Sequence, residues 1–342
     1  MGRDAFVRAI EVSSTQHRGS GSLSRMDGRD ARHHTNNAWT GGTHVAPLAD
    51  MDWNSRRITA IVENALNEDR ATRDATSYAC IDPNQRASAT VITEQECILA
   101  GLGCIPRIFD VYAALDGAVT SHYEVTSHPS VFDGVRVKAG QQIAVIRHNA
   151  RVILSCERVL LNFLRRMAGI ATTTRQFVDA VEGTHARILD TRKTAPGLRV
   201  IDKYAVRCGG GQNHRLDLSD GVLIKNNHIT LAGGAAQALE RAIHNRRGRQ
   251  PIEIEVRSLE ELQVALEHGA EAVLLDHLSV ENVGRAVEIC SRHSRRIPVE
   301  CAGGITLENV RAYAEAGVDY ISVGALTQSA IAANMSMRVM VA

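Results

Sequence analysis

The stretch from Ala272 to Gly304, AVLLDHLSVENVGRAVEICSRHSRRIPVECAGG, decides the fold. It opens on an apolar run ending in Asp276 and continues from Ser279 with helical apolar spacing. It then returns to a second apolar run that ends in paired glycines. Runs that are apolar throughout suit strands buried on both faces, as in a parallel sheet, where a helix carries the chain back between strands. Working outward, the unit recurs. ARILDTRK from Ala186, GVLIKNNH from Gly221 and IEIEV from Ile252 precede it, and YISVGA from Tyr320 follows. Ser258-Leu-Glu-Glu is a capping box, and Ser279-Val-Glu and Thr306-Leu-Glu place acids in first helical turns. The pattern predicts an α/β protein built on a TIM-like (β/α) barrel.

In such a barrel the C-terminal strand ends meet at one mouth and carry the chemistry. That places Asp190, Arg192, Lys193, Lys225, Glu255, Asp276, Gly303, Gly304 and Gly324 there. Cys208-Gly-Gly-Gly-Gln-Asn-His214-Arg215 precedes the strand that ends in Lys225 and adds two more basic groups. Crowding Arg192, Lys193, His214, Arg215 and Lys225 into one pocket costs several kcal/mol in repulsion and desolvation unless an anion fills it. Arg forks suit carboxylates and phosphates bidentately, and glycines let backbone N–H groups approach an oxyanion. The bland alternative pairs these cations with Asp190, Asp217 and Asp220. Glu255 and Asp276 read as Mg²⁺ or ribose-hydroxyl partners, or as salt-bridge partners of the cations. Ala302-Gly303-Gly304 and Val323-Gly324, small residues ahead of helices at the last strand ends, fit a barrel phosphate site.

The chain of 342 residues fits two domains, and its net charge of +1 argues against a nucleic-acid partner. Seven scattered cysteines without a Cys-x-x-Cys pair point to a reduced, cytoplasmic protein with neither a disulfide framework nor a structural zinc. No apolar run reaches transmembrane length, which argues against a membrane partner. Residues 1–50 are polar and aperiodic and read as a disordered tail. Asp4, Glu11, Asp27 and Asp30 make them too acidic for a transit peptide. From Arg56 a mixed α/β domain follows, with a helix over Ile58–Asn67 and strand-like runs SATVITEQE, DVYAAL, GAVTSHYEV, VRVKAG and QQIAVIRH. The last two predict an antiparallel hairpin turning at Lys138, Ala139 and Gly140. Cys156–Val181 is the longest helical stretch and joins the two domains.

ERVLLNFLRRMAGIAT, ARILDTRKTAPGLR, DKYAVRCGGGQNHR, DGVLIKNNH, IEIEV, AVLLD and the Gly-Gly and VGALT ends together resemble the quinolinate phosphoribosyltransferase family, also called carboxylating nicotinate-nucleotide pyrophosphorylases. The resemblance covers about Arg56 to Met340 and is most specific from Glu157 to Ile229. It implies an incomplete barrel over 156–325 and an N-terminal α/β sandwich over 51–155 that about 326–342 completes. It also implies transfer of phosphoribose from phosphoribosyl pyrophosphate (PRPP) to quinolinate with Mg²⁺, giving nicotinate mononucleotide, pyrophosphate and carbon dioxide, a step of NAD biosynthesis. Carried over by residue, Arg192, Lys193, His214, Arg215 and Lys225 would hold the quinolinate carboxylates and phosphate oxygens. Glu255 and Asp276 would face the ribose and the metal, and Ala302, Gly303, Gly304 and Gly324 the 5′-phosphate. Lys193, Lys225, Glu255 and Asp276 are the residues that would act on the reacting centre. Arg158 would reach the neighbouring subunit's site, which implies a homodimer.

Asn226, His277, Cys301-Ala302 and Gln328 depart from the family pattern, which usually has Asp, Asn, Ser and His there. Three rival readings remain open at this stage: a phosphoribosyltransferase of the same fold for another pyridine or azole carboxylate, a Schiff-base lyase using Lys225, and a non-catalytic metabolite sensor. Retention of both Arg192 and Arg215 favours a dicarboxylate.

Overall fold

The computed structural model describes residues 51–117, 122–248 and 250–342. The expected tail over 1–50 lies outside them. The chain enters through α1 (Arg56–Glu68), capped by the Ser55 hydroxyl, and α2 (Ala75–Cys80), capped by Asp74. Then come β1 (Arg86–Thr93), β2 (Cys97–Ile98), α3 (Cys104–Asp116), β3 (Glu124–Thr126), β4 (Arg136–Val137) and β5 (Gln142–Asn149). The long α4 (Ala150–Ala180) follows, its first turn capped by the Asn149 side chain. Beyond it run β6 (Arg187–Leu189), α5 (Arg199–Cys208), β7 (Val222–Ile224), α6 (Asn226–Ala232), α7 (Ala235–Asn245), β8 (Ile252–Val256), α8 (Leu259–Glu267), β9 (Ala272–Asp276), α9 (Val280–Ser291), β10 (Val299–Ala302), α10 (Val310–Glu315), β11 (Tyr320–Ser322) and α11 (Ala325–Gln328). The chain ends in β12 (Met335–Val341).

All six apolar runs form strands of one sheet, in the order β6-β11-β10-β9-β8-β7. Every pairing in it is parallel. The edges β6 and β7 do not pair with each other, so the barrel is incomplete, as expected. Ile252, Ile254, Val256, Val273, Leu275 and Ile321 are fully buried, which is why these runs are apolar without alternation.

The second sheet is antiparallel, ordered β12-β1-β5-β3, and β1 alternates as a sheet with one buried face should, with Ala87, Ala89, Val91 and Thr93 inward. β12 pairs with β1 from Thr93↔Met335 to Ala87↔Val341, so the chain's end returns to its first sheet. To get there the backbone crosses α4 at Gly169, where a Cβ would lie 2.1 Å from the Ile331 carbonyl oxygen. The Ala333 N–H then donates to the Arg165 carbonyl at 2.9 Å. Only glycine permits this crossing.

Two readings of the first domain are corrected. DVYAAL is not a strand but the C-terminal half of α3, whose Cys104, Ile105, Ile108, Phe109, Val111 and Tyr112 are buried at helical spacing that begins upstream of the six residues read. VRVKAG and QQIAVIRH do not form a hairpin. The turn exists, with the Gln141 N–H donating to the Lys138 carbonyl at 3.1 Å, but β4 pairs with β2 whereas β5 pairs with β1 and β3. The Thr93 hydroxyl donates to the Lys138 carbonyl at 2.7 Å and pins the divergence. Part of GAVTSHYEV lies outside the described residues, and its end forms β3.

Candidate active site

The loop after β6 carries Arg192 and Lys193 and is held from below by Asp202 of α5. The fully buried Asp202 carboxylate receives Nε and Nη2 of Arg166 from α4, at 2.8 and 2.7 Å, and the Ala195 N–H at 3.1 Å. This bidentate pair ties two helices to the loop. The Thr327 hydroxyl donates to the Lys193 carbonyl at 2.9 Å, and Lys193 Cδ lies 3.1 Å from where Gly324 would carry a Cβ. The β6 and β11 ends therefore meet.

Asp190 does not neutralise the mouth cations. It is fully buried and accepts from Lys203 Nζ, from Asn213 Nδ2 at 2.6 Å and from the His214 N–H at 2.8 Å, while Lys203 also donates to the His214 carbonyl at 2.9 Å. Burial pushes the Asp190 carboxyl up despite the Lys203 ammonium beside it. These bonds lock the turn that presents His214 and Arg215. Asp217 and Asp220 are likewise spent on local turns, binding Ser219 and the Leu216 N–H.

Arg192, Lys193 and Arg215 consequently have no carboxylate within ion-pair distance among the described residues. The Nε atoms of Arg192 and Arg215 are buried without a hydrogen-bond partner. Burial, then the nearby Arg192 guanidinium, lowers the pKa of Arg215, whose Nη1 donates only to the Gly221 carbonyl at 3.1 Å. A buried guanidinium beside a half-buried one of like charge is the unfavourable arrangement that an anionic ligand relieves.

Lys225 and Glu255, at the ends of the adjacent strands β7 and β8, form a salt bridge, so one of the five cations has the partner that the bland reading foresaw. Asp276, at the end of β9, lies 3.6 Å from Arg257 Nε and 2.9 Å from His277 Nδ1. Next to it come Gly303 and Gly304, both left-handed with φ of 91° and 67°. Among the described residues the N–H groups of Gly303, Gly304 and Gly324 meet no acceptor. Arg158 is exposed on α4 and makes no ion pair among the described residues.

Sequence reading passed over Glu253 and Glu300. Each is a charge within an apolar strand, and Glu253 shares a strand face with Glu255, which was the available signal. Coming from the alternate strands β8 and β10, they meet in one layer of the barrel interior around His214. Nε2 of His214 is 3.4 Å from Glu253 Oε2 and 3.5 Å from Glu300 Oε2. Burial works against a charged imidazole, but Glu300 and then Glu253 raise its pKa to about 9. Nδ1 opposes that pull, because it already accepts the Arg215 N–H at 2.7 Å. The ring proton therefore sits on Nε2, facing the carboxylates. Although the three groups lie within 4.8 Å of one another, a metal would need the lone pair that this proton occupies. Burial and the neighbouring Glu253 push Glu300 up to about 7, consistent with a proton retained in the cluster. A separate cleft of about 420 Å³, lined by His185, His293, Arg295, Arg296 and Asp319, opens among residues that precede strands, the end of a barrel that serves stability rather than chemistry.

The fold and the mouth together define a (β/α) barrel enzyme whose substrates carry several negative charges. Comparison with known proteins narrows this. Residues 74–168 match the family model "Quinolinate phosphoribosyl transferase, N-terminal domain" and residues 170–338 match its C-terminal counterpart. A nicotinate-nucleotide pyrophosphorylase [carboxylating] of Mycobacterium leprae is 40% identical over 82% of this chain and 96% of its own length. A probable enzyme of the same name from Bacillus subtilis is 37% identical over 84% of this chain and 94% of its own. The crystal structure of NadC from Streptococcus pyogenes superposes with a TM-score of 0.78 at 32% identity, covering 86% of this chain and all of the other. The chain belongs to the quinolinate phosphoribosyltransferase family.

Proposed function

We propose that this protein is a quinolinate phosphoribosyltransferase, a pentosyltransferase that joins quinolinate to the phosphoribosyl group of PRPP and releases pyrophosphate and carbon dioxide. The observation that carries the reading is the set of mouth cations without carboxylates, above all the facing Arg192 and Arg215. Two guanidiniums with orphaned Nε atoms suit a planar dicarboxylate, which favours quinolinate over a monocarboxylate acceptor. A Schiff-base lyase is less well supported, since Lys225 is engaged by Glu255 rather than set among apolar neighbours.

In this reading Arg192 and Arg215 hold the acceptor's two carboxylates, with its ring nitrogen turned toward the ribose anomeric carbon. His214, expected from the sequence to join them, instead supports Arg215 from beneath through its Nδ1. Lys193 and Lys225 attract the pyrophosphate end of the donor. The free N–H groups of Gly303, Gly304 and Gly324, with Ala302 beside them, bind the 5′-phosphate, as glycine turns ahead of helices commonly do. As the bond to pyrophosphate breaks, the anomeric carbon gains positive character and the leaving oxygens gain charge, which the preorganised cations stabilise. Alkylation of the ring nitrogen makes the ring cationic, so the adjacent carboxylate leaves as carbon dioxide, its electrons remain at the ring carbon, and a proton then takes its place there. No covalent enzyme intermediate is needed.

Glu255 and Asp276 stand at neighbouring strand ends and offer hard oxygen donors, which fits Mg²⁺. Because Glu255 is engaged by Lys225, and Asp276 by His277 and Arg257, holding the ion through water fits better than direct ligation. When bound, the ion supplies charge neutralisation to the departing pyrophosphate. Arg158, exposed and without an ion pair, would complete the site of a second copy in a homodimer. We also read the chain as cytoplasmic: among the described residues all seven cysteines are free, and no helix is long and apolar enough to cross a membrane.

The test is incubation with Mg²⁺, PRPP and either quinolinate or nicotinate, followed by mass spectrometry. Nicotinate mononucleotide from quinolinate alone is expected. Product from nicotinate, or none from either, would overturn the assignment.

A further inference from the structure

Among the described residues, only Arg70 and His277 adopt positive φ without being glycine. Arg70 lies in the turn after α1, whereas His277, with φ of 57°, follows Asp276 at the mouth. Left-handed backbone at such a residue is strained and persists only where surroundings enforce it. Three contacts do so here. The His277 N–H donates to the Ala302 carbonyl at 2.9 Å, extending the β9–β10 ladder by one residue. Nδ1 bonds Asp276 Oδ1 at 2.9 Å. The ring lies flat over Gly303, where a Cβ would come within 2.3 Å of Nδ1 and 2.5 Å of Cγ and Cε1. Gly303 is thus glycine both for its own φ and because the imidazole occupies the space above it.

With Nδ1–H committed to a carboxylate, Nε2 is the free ring atom, on a side chain 69% exposed at the rim. It stands beside Asp276 and beside two glycines whose N–H groups have no acceptor. We propose that His277 is a positioning and specificity-determining residue for the phosphomonoester end of the phosphoribosyl donor. It holds the Asp276 carboxylate toward the ribose and walls the glycine cradle so that a phosphate, not a bulkier group, fits against the free amides. The proposal rests on the functional reading above.

The test separates the two ends of the donor. Wild-type protein, His277→Ala and His277→Asn are assayed for the KM of PRPP and of quinolinate, and for inhibition by ribose 5-phosphate and by pyrophosphate. In His277→Ala the KM for PRPP and the inhibition constant of ribose 5-phosphate rise about tenfold, the scale of one hydrogen bond to a charged group. The quinolinate KM and the pyrophosphate constant stay within about twofold on the same reasoning. His277→Asn, which tolerates left-handed backbone and can donate to Asp276, recovers most of the loss. An unchanged ribose 5-phosphate constant in His277→Ala, or equal losses for all four ligands, overturns the proposal. Failure of wild-type protein to turn over at all overturns the functional reading, and the proposal with it.

Discussion

Arg215→Met separates what the mouth does for the fold from what it does for a ligand. Arg215 is 7% exposed, has a buried Nε without a partner, and faces the like charge of Arg192. Arg215 has no ion-pair partner among the described residues. An apolar side chain of similar length therefore removes its desolvation cost and the Arg192 repulsion, a gain of about 1–4 kcal/mol on the scale seen when buried ion pairs are replaced by apolar groups. Against that stands the bond from Nη1 to the Gly221 carbonyl at 3.1 Å, since a hydrogen bond from a charged group contributes about 1.5–3 kcal/mol. Attraction to Glu253, Asp220 and Asp217 is lost as well. The net for the free protein is a stability change of about 1 kcal/mol or less in either direction, roughly 2–4 °C in Tm. Turnover should fall far more, by about 3 kcal/mol or roughly a hundredfold, the usual effect of deleting one preorganised donor. Thermal scans with and without quinolinate or inorganic phosphate, paired with kcat/KM, make the comparison. The anions should raise the wild-type Tm more than that of the variant. A variant that loses many degrees without ligand, or that keeps near-normal turnover, refutes the reasoning, because Arg215 would then support the fold rather than an anion.

Other consequences follow from the same structure. Lys225→Ala should also cost about 3 kcal/mol in transition-state stabilisation and leave Glu255 unpaired, and near-normal turnover would remove Lys225 from the site. His148 is buried against Phe109 and Tyr123, and burial, Arg86 and His122 lower its pKa from 6.5 to about 4. The unfolded chain therefore binds a proton in that window and the folded one does not, so stability is complete above about pH 6.5 and falls toward pH 4 by up to about 3 kcal/mol. Urea midpoints at pH 7 and 4.5 should draw closer together in His148→Gln, and an unchanged gap would contradict the assignment. Mixing Arg158→Ala with Arg192→Ala protein should restore up to about a quarter of wild-type turnover if a dimer shares its sites, because only heterodimers carry one intact site. No recovery on mixing would argue that each chain is self-sufficient.

The barrel was legible because strands buried on both faces cannot hide their composition, and the six apolar runs became the six parallel strands. The mouth followed from position alone: a residue at the end of such a run has nowhere else to point. Where reading failed, the cause was local. DVYAAL taken by itself is too short to distinguish a strand from two helical turns, and its helical partners Ile105 and Ile108 lie upstream. The hairpin failed because a turn does not say which strands its arms will join. Partner choice was invisible too, as with Asp190, which neutralises Lys203 from a helix instead of the adjacent Arg192. Nor does anything in the sequence around His277 announce a left-handed backbone, which arises from the approach of Gly303 in three dimensions.

The most direct test of the central claim uses quinolinate labelled with ¹³C in the carboxylate next to the ring nitrogen, together with PRPP and Mg²⁺. The account predicts labelled carbon dioxide, pyrophosphate and unlabelled nicotinate mononucleotide in equal amounts, with none of the three when PRPP is omitted. Label retained in the nucleotide, or carbon dioxide released without PRPP, would contradict it.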